Sequence, residues 1–267
     1  MNKILTLYNL EFKRIYKFFF VMLLGVVGLN IAINGFVIYT HIKHTAQNLG
    51  MKMSLDILKM ENVGVMLMTD IYAYTRMVLA LAVIACLVYA IIIWYRDFIG
   101  KSKVSYTLFM LPQNKFNIYI SKLITIVSMI YIVQIVQFIL WAINLILLNY
   151  FAELGEYRII SSLYNNFGDP MSLIQLLPID FFIINVIGVI LVVVLIFTAV
   201  LMQLSYKKIG LIIAPLYVIF SVWIYFYFMT NNYQPTDRLM INNIYFAVQF
   251  GVCTLTSYKL LNKKVYV

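Results

Sequence analysis

The stretch FFIINVIGVILVVVLIFTAVLMQL, residues 181–204, carries no charged side chain and decides the class of fold. A helix needs roughly 20 mostly apolar residues to cross the hydrocarbon core of a bilayer. The stretch exceeds that length and is continuously apolar, whereas a membrane strand would alternate apolar and polar residues over about ten positions. It therefore predicts a membrane-spanning α-helix.

Five further stretches of the chain have the same character. They are residues 18–40, 74–95, 123–150, 209–228 and 243–261. The composition agrees, since 64% of all residues are apolar and only 11% are charged, against about 25% charged in an ordinary soluble domain. So much apolar surface excludes a soluble domain and a disordered chain, and two cysteines exclude a disulfide-stapled one. We expect an all-α integral membrane protein with six spans, forming one domain over residues 1–267.

The basic residues are distributed unequally between the two sides of such a six-span layout. The side with both termini and the connections at 96–122 and 205–208 holds fourteen basic and two acidic residues. The other side, with the loops 41–73 and 151–180, the connection 229–242 and Arg76, holds six basic and eight acidic residues. Lys and Arg accumulate on the cytoplasmic side of membrane proteins. We expect a multi-pass protein of the cell membrane with cytoplasmic termini. This distribution accounts for the net charge of +10, so we expect no nucleic-acid partner.

Residues 1–17 mix apolar and basic side chains ahead of the first span. This pattern predicts an amphipathic helix lying along the cytoplasmic interface. The alternative is a charged flank that only fixes the orientation of the first span. The apolar stretch that follows is too long for a signal peptide, so we expect it to stay as an uncleaved span.

Catalytic and metal-binding patterns are missing from the sequence. Gly100-Lys101-Ser102 resembles the end of a nucleotide-binding loop, but Tyr95 stands where that motif needs a glycine. His41 and His44 would need further ligands to hold a metal ion. We therefore expect no enzyme activity, metal or cofactor in this chain. The span centres lack charged residues, which disfavours ion-coupled transport.

The spans do contain uncharged polar side chains on common helix faces. Asn30 and Asn34 are four residues apart in the first span, and Gln249 lies in the last. In the third span the residues Gln134, Gln137, Trp141 and Asn144 fall within a sector of roughly 80°. These residues either form hydrogen bonds between helices or line a translocation path or subunit interface. Small residues at Gly25, Gly28 and Gly35 predict close helix packing.

The connection 96–122 is basic yet rich in apolar residues. A short linker between helices would be polar. The apolar run ends at Leu111-Pro112, and a polar turn precedes Lys115. The pattern predicts a small cytoplasmic helix, a stop at the proline and a second helix that enters the membrane.

This connection resembles that of the permease subunits of ATP-binding-cassette exporters of the second type. The family pattern has an acid, a Lys or Thr, a Leu-Leu-Pro step, a base, and Ser-Lys at the next span. The matching residues are Asp97, Lys101, Ser105, Thr107, Leu108, Leu111, Pro112, Lys115, Ser121 and Lys122. Asp97 and Lys115 stand where the family usually has Glu and Arg. Half-size permeases of this kind resemble exporters of bacitracin and of phenol-soluble modulins.

The resemblance implies a partner and a mechanism. The connection would form a coupling helix that docks into a separate ATPase subunit, which binds ATP and Mg²⁺. The coupling residues would be Asp97, Lys101, Thr107, Leu108, Leu111, Pro112 and Lys115. A second copy or a homologous permease would complete the translocator, and the cargo would be amphipathic or antimicrobial peptides or lipid-like molecules.

Two other functions compete with this hypothesis. The chain could be a membrane sensor or assembly protein whose basic connection binds a partner or anionic lipid without transport. An intramembrane enzyme would need a nucleophile, acid or base held together in the bilayer. The sequence offers no such group.

Overall fold

A computed structural model describes residues 3–50, 52–53, 63–99, 114–152, 186–230 and 235–263. The helices of this part are α1 (Lys3–Leu49), α2 (Val63–Ile99), α3 (Lys115–Ala152), α4 (Val189–Thr230) and α5 (Pro235–Lys263). They contain six stretches that are long and apolar enough to cross a membrane. These are Ile4–Leu49, Met66–Phe98, Lys115–Leu147, Val186–Tyr206, Lys208–Phe228 and Met240–Asn262. In the described part of the chain, the prediction of a helical fold with six stretches long and apolar enough to span a membrane is confirmed.

The helices extend beyond the predicted spans. Residues 41–49 and 63–73, placed by the sequence in an outer loop, belong to α1 and α2. No Gly or Pro interrupts α1 between residues 36 and 49, and the helix ends at Gly50, whose φ of 62° is the left-handed conformation typical of a helix C-terminus. The coupling residues Lys101, Thr107, Leu108, Leu111 and Pro112 lie outside the described residues, as do residues 153–180 of the second outer loop.

The N-terminal segment, predicted to be an amphipathic interfacial helix, is helical from Lys3, and its position at the interface stays a prediction. From Lys3 onward it is continuous with the first span in α1. No Gly or Pro occurs before Gly25, so nothing in the sequence ends the helix at residue 17. Leu7, Glu11 and Ile15, four residues apart, are buried. This face of the segment therefore packs inside the protein.

The chain divides into two compact units. One comprises Met1–Ile15, Ala85–Met129 and Phe182–Val267, and the other comprises Tyr16–Ile84 and Ile130–Phe181. Below we call them the first and the second unit. α1, α2 and α3 contribute to both units, whereas α4 and α5 belong to the first unit only.

The residues of α4 are helical from Val189 to Thr230, but the chain turns back on itself between Gln203 and Gly210. A Cβ built on Gly210 would lie 2.7 Å from the Cα of Gln203. In a straight helix, residues seven apart are about 10 Å apart along the axis. α4 is therefore a helical hairpin, with a first limb at residues 189–203 and a second limb at 210–230. This reversal accounts for its two candidate spans.

Large apolar side chains are exposed on the outer faces of the helices. On α1 they include Phe18, Val21, Leu29 and Phe36, and on the second limb of α4 they include Ile212, Ile219, Trp223 and Phe226. A monomeric soluble protein rarely exposes an apolar surface of this extent. In a membrane-spanning chain, such a surface contacts lipid.

Candidate functional site

The first unit contains a group of buried charges, which we call the charge cluster. It consists of Glu11 and Arg14 on α1, Arg96 and Asp97 on α2, and Lys122 on α3. Only 5% of Glu11, 3% of Asp97 and 1% of Lys122 is exposed. An isolated charge at such depth would be strongly unfavourable, so the close pairing of these groups is what makes their burial possible.

Lys122 lies at the centre of the charge cluster. Its ammonium group donates hydrogen bonds to the Asp97 carboxylate, to Oε1 of Glu11 at 3.1 Å and to the Ile93 carbonyl oxygen at 3.4 Å. An ammonium group has three donors, so all of them are used. One side chain of α3 is thereby bonded to both α1 and α2.

Two arginines form the more accessible edge of the charge cluster. The Arg96 guanidinium donates to Oε2 of Glu11 and, at 2.8 Å, to the Tyr89 hydroxyl oxygen. Nη1 of Arg14 lies 3.7 Å from Oε1 of Glu11 and 3.9 Å from Oδ1 of Asp97. Three cations thus surround two carboxylates, and both carboxylates have partners on more than one helix.

An aromatic cluster covers the apolar side of Lys122. Its Nζ lies 5.4 Å from the ring centre of Trp94, a distance at which a cation interacts favourably with an indole. Trp94 and Tyr119 each pack edge-on against Phe197, with ring centres 5.5 and 5.6 Å apart. Phe197 belongs to the first limb of α4, so this limb packs next to the charge cluster.

The sequence gives a reason for this arrangement. Glu11 lies on the apolar face of its segment, four residues from both Leu7 and Ile15. Asp97 lies one turn after the buried Ile93, and Lys122 precedes the buried Ile126 by four residues. An ionisable residue on a buried helix face needs an opposite charge on a neighbouring helix. Glu11 and Arg96 entered the sequence-based prediction only through the charge counts, although the apolar neighbours of Glu11 at residues 7 and 15 already indicate a buried position.

Residues of the charge cluster flank the basic connection between α2 and α3 on both sides. Asp97 precedes the end of α2 at Ile99, and Lys115 is the first residue of α3. Asn114 caps α3, because its side-chain oxygen accepts from the Phe116 N–H at 3.0 Å and its carbonyl accepts from the Asn117 N–H at 2.9 Å. Of the predicted coupling residues, the structure therefore describes Asp97, in the charge cluster, and Lys115.

The predicted polar residues of the first and third spans bond to one another in the second unit. Asn30 and Gln137 are both buried and exchange two hydrogen bonds between their amides, of 3.0 and 2.9 Å. Asn34 donates to Oδ1 of Asn144 at 2.7 Å. These pairs join α1 to α3.

Other predicted residues are bonded within the two units. In the second unit, Trp141 donates to the Thr75 hydroxyl oxygen at 2.8 Å and so joins α3 to α2. In the first unit, Gln249 donates to Ser221 Oγ at 2.8 Å and to the Tyr217 hydroxyl at 3.2 Å. Gln134 is half-buried on α3. A role for these residues in a translocation path stays a prediction.

Among the described residues, no close packing is found at the first-span glycines, since a Cβ built on Gly25, Gly28 or Gly35 meets no described atom within 4 Å. Close helix packing there stays a prediction. Gly210, in the turn of α4, is a described glycine at which backbone atoms do come close.

The two histidines bond at one end of the second unit. Nε2 of His41 lies 2.7 Å from Oδ2 of Asp70, which joins α1 to α2, and Nδ1 of His44 lies 3.1 Å from the Asn48 amide nitrogen. Within the described ranges, no group of three His, Cys, Asp or Glu side chains could hold a metal ion.

Comparison with family models, curated proteins and solved structures gives no match to this chain. Similarity therefore assigns the chain to no family.

Proposed function

We propose that this chain is the permease subunit of an ATP-driven exporter, powered by a separate ATPase subunit of the ATP-binding-cassette type. The observation that carries the proposal is the charge cluster. In it, Lys122 near the beginning of α3 donates hydrogen bonds both to Asp97 near the end of α2 and to Glu11 on α1. Residues 100–113, which resemble a coupling helix, connect these two ends.

The charge cluster suits the transmission of movement from that connection. Removal of one partner of a buried ion pair typically costs about 3–5 kcal/mol. Because Lys122 is bonded to two helices at once, a displacement of its end of α3 must carry along α1 and α2 or break these bonds. Closure of an ATPase dimer against the connection would thus move three helices together.

The alternative function, a sensor or assembly protein, uses the same basic connection differently. In that case the connection binds anionic lipid or a signalling partner, and the charge cluster only stabilises the fold. We favour the exporter because the connection combines basic residues with apolar ones, including Leu108 and Leu111. Apolar side chains of this kind suit the groove of a protein partner.

The proposal includes an assembly and a class of cargo. Six spans form half of a translocator, so two copies, or this chain and a homologous permease, would enclose the path. Both termini would lie in the cytoplasm. The amides of the spans are uncharged, and those of Asn30 with Gln137 and of Asn34 with Asn144 are bonded to each other, which suits amphipathic peptides or lipid-like cargo better than ions.

The proposal is tested by purifying the tagged full-length chain from its native membrane in a mild detergent. We expect an ATPase to co-purify, identified by mass spectrometry and by ATP hydrolysis in lipid. Lys101→Glu and Leu111→Asp should each abolish the association. Lys52→Glu and Met53→Asp are matched controls, because they make the same changes at exposed residues between α1 and α2. They should retain the ATPase.

Two results would contradict the proposal. If the ATPase remained bound to both connection variants, the coupling residues would be assigned wrongly. If no ATPase co-purified, and Lys101→Glu instead removed a preference of the purified chain for anionic lipid, the sensor or assembly function would replace the exporter.

A further inference from the structure

An apolar groove lies between the two limbs of α4 in the first unit. The groove has a volume of about 400 Å³ and lies between the two limbs, with Ile91 of α2 as an additional wall. Ala199 and Gln203 of the first limb and Leu211, Ala214 and Pro215 of the second limb are among its lining residues. Among the described residues that line it, Gln203 has the one polar side chain.

The sequence explains why the limbs leave this space. Ala199 and Ala214 have short side chains where longer ones would fill the gap between two helices. Both alanines are buried, so they lie at the floor of the groove, whereas Leu211 is 58% exposed and lies at its rim. The groove is thus open to the apolar surroundings of the hairpin, which for a membrane-spanning helix are the lipid chains.

The turn of the hairpin adds positive charge at one end of the groove. Lys207 and Lys208 lie between the limbs in sequence, and the side chain of Lys208 is exposed. Residues 181–230 contain no Asp or Glu, so no acid within this stretch offsets the two lysines. From Gln203 and Leu211 near the turn, the groove extends to Ile196 and Ile219. This is roughly 12 Å at 1.5 Å per residue.

We infer that the groove binds one acyl chain of an anionic glycerophospholipid, with the lipid phosphate at the turn beside Lys208. An apolar groove that ends near Lys208 matches the two parts of such a lipid, a hydrocarbon tail and a negative headgroup. The exposed apolar side chains of Ile209 and Ile212 flank the turn and keep it in contact with the bilayer. This inference is independent of the exporter function.

The inference is tested on the purified, delipidated full-length chain by native mass spectrometry. Phosphatidylglycerol and phosphatidylcholine with identical acyl chains are titrated separately. We expect one phosphatidylglycerol to bind each chain first, with about fivefold or greater preference over phosphatidylcholine, which is the order expected for one lysine near an anionic lipid. Lys208→Gln should reduce this preference, and Lys259→Gln, at an exposed residue of α5, should leave it unchanged.

A second pair of variants separates the groove from the general lipid surface. Leu211→Trp should fill the rim and lower phosphatidylglycerol binding at least tenfold, without overpacking, because Leu211 is exposed. Ala247→Phe, an enlargement at an exposed position of α5, should have no effect. Equal lipid binding by Leu211→Trp and Ala247→Phe would overturn the inference, as would equal affinity for the two lipids. A dimer that Leu211→Trp alone disrupts would assign the groove to a second copy and overturn it too.

Discussion

Only 1% of Lys122 is exposed. The three donors of its ammonium group all have acceptors, and two of these acceptors are carboxylates. Lys122→Met keeps a long side chain in place but leaves Glu11 and Asp97 buried with one cation fewer. We expect the free energy of unfolding to fall by about 3–5 kcal/mol, the usual cost of breaking a buried pair. The measurement is denaturant or thermal unfolding of the purified chain in detergent.

Lys13→Met is the matched control, because Lys13 is an exposed lysine on the same segment of α1 as Glu11. Its effect should stay within about 0.5 kcal/mol. The double variant Glu11→Gln/Lys122→Met should lose less stability than the sum of its single changes, since the two groups interact directly. Equal stability of Lys122→Met and Lys13→Met would show that the charge cluster contributes nothing to the fold.

The amides of Asn30 and Gln137 provide a second test on single residues. Asn30→Leu, Gln137→Leu and the double variant form a double-mutant cycle for their two hydrogen bonds. We expect a coupling energy near 0.6 kcal/mol and no larger than about 1.7 kcal/mol, the range for hydrogen bonds between membrane helices. Unfolding in detergent measures it.

Gln134 provides the comparison for that cycle. It is half-buried on the same helix, one turn from Gln137. A cycle of Asn30→Leu with Gln134→Leu should show a coupling energy close to zero. If both cycles gave the same coupling, the pairing of Asn30 with Gln137 would not be specific.

The sequence predicts which polar side chains need partners more readily than it predicts the partners. The spacing of Asn30 and Asn34 places both on one face of α1, and their bonds to Gln137 and Asn144 follow that face. Which turn of α3 faces which turn of α1 depends on packing over both whole helices. The same holds for Glu11. An acid on an apolar helix face predicts that a cation is buried beside it, but the sequence does not predict that this cation is Lys122.

Among the helices, α4 gives the sharpest prediction. A Cβ on Gly210 would lie 2.7 Å from two backbone atoms of Gln203 and 2.8 Å from the Met202 carbonyl oxygen. Backbone cannot move aside as a flexible side chain does, so Gly210→Ala must open the turn. We expect a loss of about 1–3 kcal/mol in the free energy of unfolding, the usual cost of overpacking.

Gly251→Ala should change stability in the opposite direction. Gly251 lies within α5, and a Cβ there meets no described atom within 4 Å. Alanine in a helix interior is favoured over glycine by roughly 0.5–1 kcal/mol. Thermal unfolding of both variants compares them directly. If Gly210→Ala were as stable as Gly251→Ala, the close approach in the turn of α4 would be wrong.

The helices themselves were predictable because continuous apolar runs leave a spanning segment few alternatives to helix. Their ends were less predictable, since α1 and α2 continue past the apolar residues that mark the spans. The turn of α4 was predictable as a break between two spans, because the lysines between them separate the apolar residues 181–204 from 209–228. The close approach of the two limbs at Gly210 was not predictable, since it depends on packing in the folded chain.

At the scale of the whole molecule, the orientation of the chain decides whether the proposed function is possible. The connection at residues 100–113 can reach a cytoplasmic ATPase only if it lies inside the cell. The excess of basic residues on its side favours that orientation, with fourteen against six. Both native cysteines, Cys86 and Cys253, are buried, so introduced cysteines can be labelled against a low background.

Single cysteines at exposed positions test this orientation with a maleimide that cannot cross membranes. Lys43→Cys and Met53→Cys, at exposed residues on the side predicted to be outside, should be labelled in intact cells. Lys208→Cys and Asn262→Cys, at exposed residues on the other side, should be labelled only after permeabilisation. The unaltered chain controls for the native thiols. The reverse pattern would place residues 100–113 outside the cell, where no ATP-driven partner could dock, and the exporter proposal would fail.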